Sequence, residues 1–293
     1  MITIIILILS HNNILFEDLT HLKYLWISNE NIMRYNDKNY NIKQYLIEYD
    51  ENLIEEEYII DENKKKILIK GNESLIPGCF YKTIKAINIV KDEFNPDYIL
   101  RTNLSTTFNF KKIKNMIIKL ENKSELINKT FLAGPIIKPD SIEDLKLLLF
   151  NLYENIDEKD KNKLNENSIN FFKNEDKSNI IKKNKQKKSY VHGIFMLMNR
   201  QSYSFLINNY KEIITENYIR SYYDDIIISK IFSKKKHLLV NIQNKIKTNT
   251  NLMDIDNIDK KYVEDNIYFR CKIDNTYTST KKYVKKVIDL LNN

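Results

Sequence analysis

Residues 2–9 read ITIIILIL, an unbroken apolar run rich in β-branched side chains and closed by the polar stretch Ser10-His11-Asn12-Asn13. Branched side chains lose freedom in a helix and pack well on a pleated surface. A strand that is apolar at every position is buried on both faces, which is the condition of a parallel sheet covered by helices. The run therefore calls for a central strand in an α/β fold. A bilayer-spanning helix needs about 20 such residues, and a secretory leader brings a basic start and a small-residue cleavage site. This stretch has neither, and no other segment reaches membrane-spanning length. A soluble protein that begins directly with its fold is expected.

Further strands are expected at 44–50, in two short pieces around the charged turn of 56–71, and at 97–103, 130–135, 190–199, 237–242 and 266–271. Helical spacing marks 16–28, 109–122, 200–214 and 279–291, and a helix starts near Asp225. Another begins at Pro77, with Phe80, Ile84 and Ile87 on one stripe, and Ser141 to Asp144 form a capping box before 141–155. Strands alternate with helices in the first half, giving a mostly parallel central sheet; the mixed second half suggests antiparallel additions. One domain over 1–293 is expected. Within it, 154–188 is almost wholly Asn, Lys, Asp and Glu, a solvated and mobile insertion.

The formal charge of +8 looks like a nucleic-acid signal, but arginine stands only at 34, 101, 200, 220 and 270. Abundant Ile, Asn, Lys and Tyr beside only four Gly and four Pro is the profile of an A/T-rich genome, so much of the lysine excess is codon drift. Nucleic acid is not the expected partner, although the run Lys182 to Lys188 could touch phosphate. Cys79 and Cys271 form no CxxC pair, which fits a reducing compartment and excludes a cysteine-rich zinc module. The histidines at 11, 21, 192 and 237 have no zinc-protease spacing. With glycine only at 71, 78, 134 and 193, neither a P-loop nor a dinucleotide fingerprint can be written, which removes P-loop kinases and NAD-dependent dehydrogenases.

Ligands of open α/β sheets bind beyond the carboxyl ends of the strands. Three polar groups fall there: Ser10 to Asn13, Arg101 to Ser105 in YILRTNLSTTFNF, and His192-Gly193. Asp224-Asp225 adds a fourth at a helix start. Each has a plainer counterpart: a strand-ending turn for Asn103, a solvated edge charge for Arg101, a bulge for Gly193, a packed polar residue for His192, and acids favouring a helix dipole for Asp224 and Asp225.

Taken in order, four segments resemble the β-1,3-glycosyltransferases of the fringe and β-1,3-galactosyltransferase kind, which have a GT-A fold. CFYKTIKAINIV is similar to their Lys-Thr helix through Lys82-Thr83, and YILRTNLSTTFNF lies where they carry a DxD strand, with Asn103-Leu104-Ser105 on its three positions. YVHGIFMLMNRQSY is similar to their glycine strand at His192-Gly193. YDDIIIS is similar to their acidic motif at Asp224-Asp225-Ile226, with Ser229 in place of a glycine. The likeness spans roughly Leu75 to Phe232 and rests on order and pattern.

It implies a GT-A-like, Rossmann-type α/β domain that transfers a sugar from a nucleotide-sugar, a UDP-sugar first, to an acceptor hydroxyl with inversion. The acceptor would be a glycan, protein or lipid. Asp225 would be the catalytic base, with Asp224 orienting it or contacting the donor sugar. Ser10, His11, Asn12, Lys82, Arg101, Asn103, Ser105 and Gly193 would bind the donor. In the family, the DxD acids hold Mn2+ or Mg2+ against the donor's phosphates, and such cations want anionic oxygens. Asn103 and Ser105 offer neutral ones, so two readings stand. Either they hydrogen-bond the donor directly while Arg101 or Lys82 neutralises it, or the chain is a catalytically inactive nucleotide-sugar or glycan-binding protein. Relatives in eukaryotes carry a Golgi membrane anchor; this chain, lacking one, fits the cytoplasm, as in a large DNA virus or a protist.

Overall fold

The structure, a computed structural model, describes residues 1–10, 22–23, 35–74, 77–123, 126, 128–137, 189–220, 222–242, 258–270 and 277–292. The chain is α/β. Its main sheet has eight strands in the order β11-β7-β10-β5-β1-β2-β4-β3. These are β1 (Ile2–Leu9), β2 (Tyr40–Asp50), β3 (Tyr58–Asp61), β4 (Lys66–Lys70), β5 (Tyr98–Asn103), β7 (Phe131–Gly134), β10 (Met196–Asn199) and β11 (Leu238–Asn241). Pairings are parallel except at β10, antiparallel to both neighbours, and at β3, antiparallel to β4. Two small antiparallel ribbons complete it: β6 (Thr106–Phe108) with β12 (Tyr268–Arg270), and β8 (Ile136–Ile137) with β9 (Tyr190–Val191).

The opening run is the central strand that its composition requires. Because successive side chains alternate faces, Ile4, Ile6 and Ile8 enter one core and Ile5, Leu7 and Leu9 the other. The first core is covered by α2 (Phe110–Glu121), α6 (Lys260–Asp265) and α7 (Tyr277–Asn292). The second is covered by α1 (Gly78–Phe94), α3 (Arg200–Ile213) and α5 (Asp224–Lys234), with the single turn α4 (Glu216–Ile219) alongside. Asn95 closes α1 in the left-handed conformation at φ 43°, a position that asparagine tolerates better than most residues.

Two expectations need correction. Residues 190–199 are not one strand: β9 and β10 are separated by a turn over His192–Phe195, closed by the Phe195 N–H on the His192 carbonyl at 3.2 Å. The second strand begins at Tyr40 rather than Gln44, extending β1's partner along its whole length. The helix expected near Asp225 includes Asp224. The helix at 141–155 and the insertion at 154–188 lie outside the described residues, as does most of 16–28. Among the described residues no helix is long and apolar enough to cross a membrane.

Candidate functional site at the carboxyl ends of β1 and β5

After β1 the chain builds β2, β3 and β4 on one side and then crosses to place β5 on the other. The strand order thus reverses between β1 and β5, and open α/β sheets bind ligands beyond the strand ends at such a point. Register puts Leu9 opposite Asn103, so Ser10 and the β5 mouth are neighbours.

Arg101 sits two residues before that mouth and is only 3% exposed. Its Nη1 donates to the Gly193 carbonyl and its Nη2 to Asp224 Oδ2, while Nε has no partner among the described residues. The adjacent Thr102 donates its hydroxyl to the Ile194 carbonyl at 2.7 Å. Consecutive residues of β5 therefore hold the 192–195 turn, and one of them also holds the start of α5. Sequence reasoning gave Arg101 to a phosphate; in the structure its guanidinium is engaged inside the protein.

Gly193 is required here for space. A Cβ on it would run into Arg101 Nη1 and come 3.3 Å from Asp225 Oδ2. Gly193→Ala should therefore push the guanidinium off the carbonyl and destabilise the fold by about 1–3 kcal/mol, the usual cost of overpacking. A urea melt reads it, and a midpoint equal to wild type would refute the close approach.

The two acids of α5 differ. Buried Asp224 is held by Arg101. Asp225 is half-buried; its Oδ2 accepts the Gly193 N–H at 3.0 Å and its Oδ1 the Ile226 N–H at 2.8 Å. Burial pushes its carboxyl above the ordinary aspartate range, against the opposing pull of Arg101 and of these amides. Tyr223, just ahead, is 8% exposed with a hydroxyl that has no partner among the described residues; burial and then the charge of Asp225 raise its phenol. Ser229, which stands where the resembling family has a glycine, accepts the Val191 N–H at 2.9 Å and so ties β9 to α5.

A second charge cluster lies on the β2 side of Ser10. Lys82 of α1 is fully buried and donates to both Glu73 oxygens, at 2.8 and 2.7 Å, and to the Ser10 carbonyl at 2.6 Å. Ser10 in turn donates its hydroxyl to Glu48 Oε1 at 2.5 Å, and Glu48 is also paired with Lys23 and Lys66. Cys79 sits within reach of both clusters, its thiol pushed up to about 12 by burial and then by Asp224, so it is inert as a nucleophile.

Burial raises the Glu48 carboxyl, but hydrogen bonds from Lys23, Ser10 and Lys66 outweigh it and hold the group at about 2 instead of 4.5. A depressed acid stabilises the fold above its unfolded value and loses that contribution as pH falls through its folded one. The difference is worth about 3 kcal/mol, fully present above roughly pH 5 and lost between there and about pH 2. Glu48→Gln should flatten the acid limb of a stability-against-pH curve; an unchanged limb would contradict the assignment.

At the β5 mouth, Asn103 Oδ1 accepts from Ser105 Oγ at 3.0 Å and from Thr106 Oγ1 at 2.9 Å. The structure thus joins Arg101, Gly193, Asp224 and Asp225 in one group, Ser10 and Lys82 in a second, and Asn103 and Ser105 in a third. His11 and Asn12 lie outside the described residues. Glu48, Glu73, Thr106 and Tyr223 were missed. Glu48 did leave a trace, as a carboxylate inside the otherwise apolar run YLIEY.

No family model matches the chain, and no curated protein matches it. Among solved structures it is similar to the galactosyltransferase LgtC in complex with donor and acceptor sugar analogues, with a TM-score of 0.45 and 10% identity over 98% of this chain and 95% of that one. It is also similar to the apo form of mouse xyloside xylosyltransferase 1, with a TM-score of 0.41 and 9% identity over 83% of this chain and 86% of that one. Such scores leave the chemistry of the site to its own residues.

Proposed function

We propose that the chain is a GT-A-like glycosyltransferase that moves a sugar from a nucleotide-sugar, a UDP-sugar first, to an acceptor hydroxyl with inversion at the anomeric carbon. The supporting observation is the unlike pair at the start of α5. Asp224 is neutralised and buried by Arg101, while Asp225 is half-buried and is aimed by the Gly193 and Ile226 amides. One carboxylate is committed to a cation; its neighbour, held by two backbone amides, keeps oxygen lone pairs that can take a proton.

In this reading Asp225 takes the acceptor hydroxyl proton as the oxygen attacks the anomeric carbon, and the bond to the nucleoside diphosphate breaks with its electron pair on phosphate. Such a transition state has oxocarbenium character, which a carboxylate also stabilises electrostatically. A base works best when its pKa approaches the working pH, and the upward shift of Asp225 moves it that way. Asn103 stands on the donor side, while buried Ser10, Lys82 and Arg101 support the strand ends from within. The acceptor would be a glycan, protein or lipid hydroxyl.

The test is calorimetric titration with UDP and a panel of UDP-sugars, joined to a UDP-release assay. Binding of one UDP-sugar with release that depends on an added acceptor supports the proposal. Binding without release would identify an inactive nucleotide-sugar-binding protein, and no binding by the folded chain would end both readings.

A further inference from the structure

The β5 mouth is where the resembling family holds a divalent cation, and its chemistry in this chain does not suit one. A hard cation such as Mn2+ or Mg2+ wants several oxygens, preferably anionic. The oxygen that Asn103 could lend already accepts two hydroxyl protons, from Ser105 and Thr106, both buried. Turning the amide over would free one neutral oxygen, far short of a coordination shell. The nearby carboxylates are also engaged: Asp224 with Arg101, Asp225 with two backbone amides, Glu73 with Lys82, and Glu48 with Lys23, Lys66 and Ser10. Among the described residues no group of three or more His, Cys, Asp or Glu is placed to hold a metal.

What the turn does provide is a fixed donor. With Oδ1 pinned by two hydroxyls, the Asn103 side chain cannot rotate freely, and its Nδ2 has no partner among the described residues. We infer that the Asn103–Ser105–Thr106 turn takes an anionic oxygen directly on the Asn103 amide, with no divalent cation between them. The identity of that anion as the donor's diphosphate rests on the glycosyltransferase reading; the exclusion of a cation from the turn does not.

The experiment uses the full chain as wild type, as Asn103→Ala and as the double variant Asn103→Asp/Ser105→Asp. Mn2+ uptake is followed by electron paramagnetic resonance with and without UDP, and UDP affinity is measured by calorimetry in EDTA. Wild type should take up no Mn2+ beyond a UDP-only control, and EDTA should leave its UDP affinity unchanged. Asn103→Ala should weaken UDP about tenfold, the loss of one hydrogen bond to a charged group. The double variant, checked for folding by thermal melt, should gain Mn2+ uptake; the wild-type arm decides the matter without it. Mn2+ uptake by wild type that Asn103→Ala removes, or UDP binding that EDTA abolishes, overturns the inference. Failure to bind UDP in either EDTA or Mn2+ ends the nucleotide reading instead, and the uptake of Mn2+ without UDP still decides this one.

Discussion

Arg101→Met should cost the fold about 3–5 kcal/mol, because breaking one side of a buried ion pair strands the other charge. The guanidinium links the Gly193 carbonyl and Asp224 to β5. Removing it takes from Asp224, buried beside Tyr223 and Cys79, the cation that pairs with it. The double substitution Arg101→Met/Asp224→Leu should recover much of the loss, since replacing both members by apolar groups is often close to neutral. Chemical denaturation of the wild type, both single variants and the double variant closes the cycle. A loss below about 1 kcal/mol in Arg101→Met would mean that the pair is solvated, as surface pairs are. The double variant, though folded, should have lost catalysis, because Asp225 is then placed without the Arg101 link between the Gly193 carbonyl and the start of α5.

Asp225→Asn should lower turnover about 10²–10⁴-fold, the range that general-base catalysis supplies. Its stability should change far less than that of Arg101→Met, because no buried ion pair is broken and an amide oxygen can still accept the Gly193 N–H. In the wild type, activity should fall as pH drops through the Asp225 value. The acid limb should lie above the ordinary aspartate value of 3.8, since burial raises this carboxyl. Asp224→Asn should act differently: with Arg101 unneutralised, its main effect should be on the melting temperature. Full turnover in Asp225→Asn would remove this residue from the chemistry.

Much of the sheet was legible because burial on both faces leaves a local mark. ITIIILIL and YILRTN read as buried strands, and the stripe of Phe80, Ile84 and Ile87 read as the inner face of α1. The break at His192–Phe195 was not, since Val191, Ile194 and Phe195 are buried whether or not they are extended. Apolar continuity records burial and says little about the hydrogen-bonding pattern. The site was legible as a set of positions beyond strand ends. The partners of each charge were not, because they are chosen across the fold: Arg101 meets a helix 123 residues away, and Lys82 is taken by Glu73 before any ligand could reach it. A sequence shows that a cation stands near a crevice, and only the packed protein shows which carboxylate reached it first.

The most direct measurement is a crystal structure of the chain grown with UDP. Nucleotide density over the carboxyl ends of β1 and β5, with a phosphate oxygen on the Asn103 amide and Asp225 open toward the sugar side, is the expected result. Nucleotide bound at the opposite end of the sheet, or an Asp225 walled off from the ligand, would contradict it.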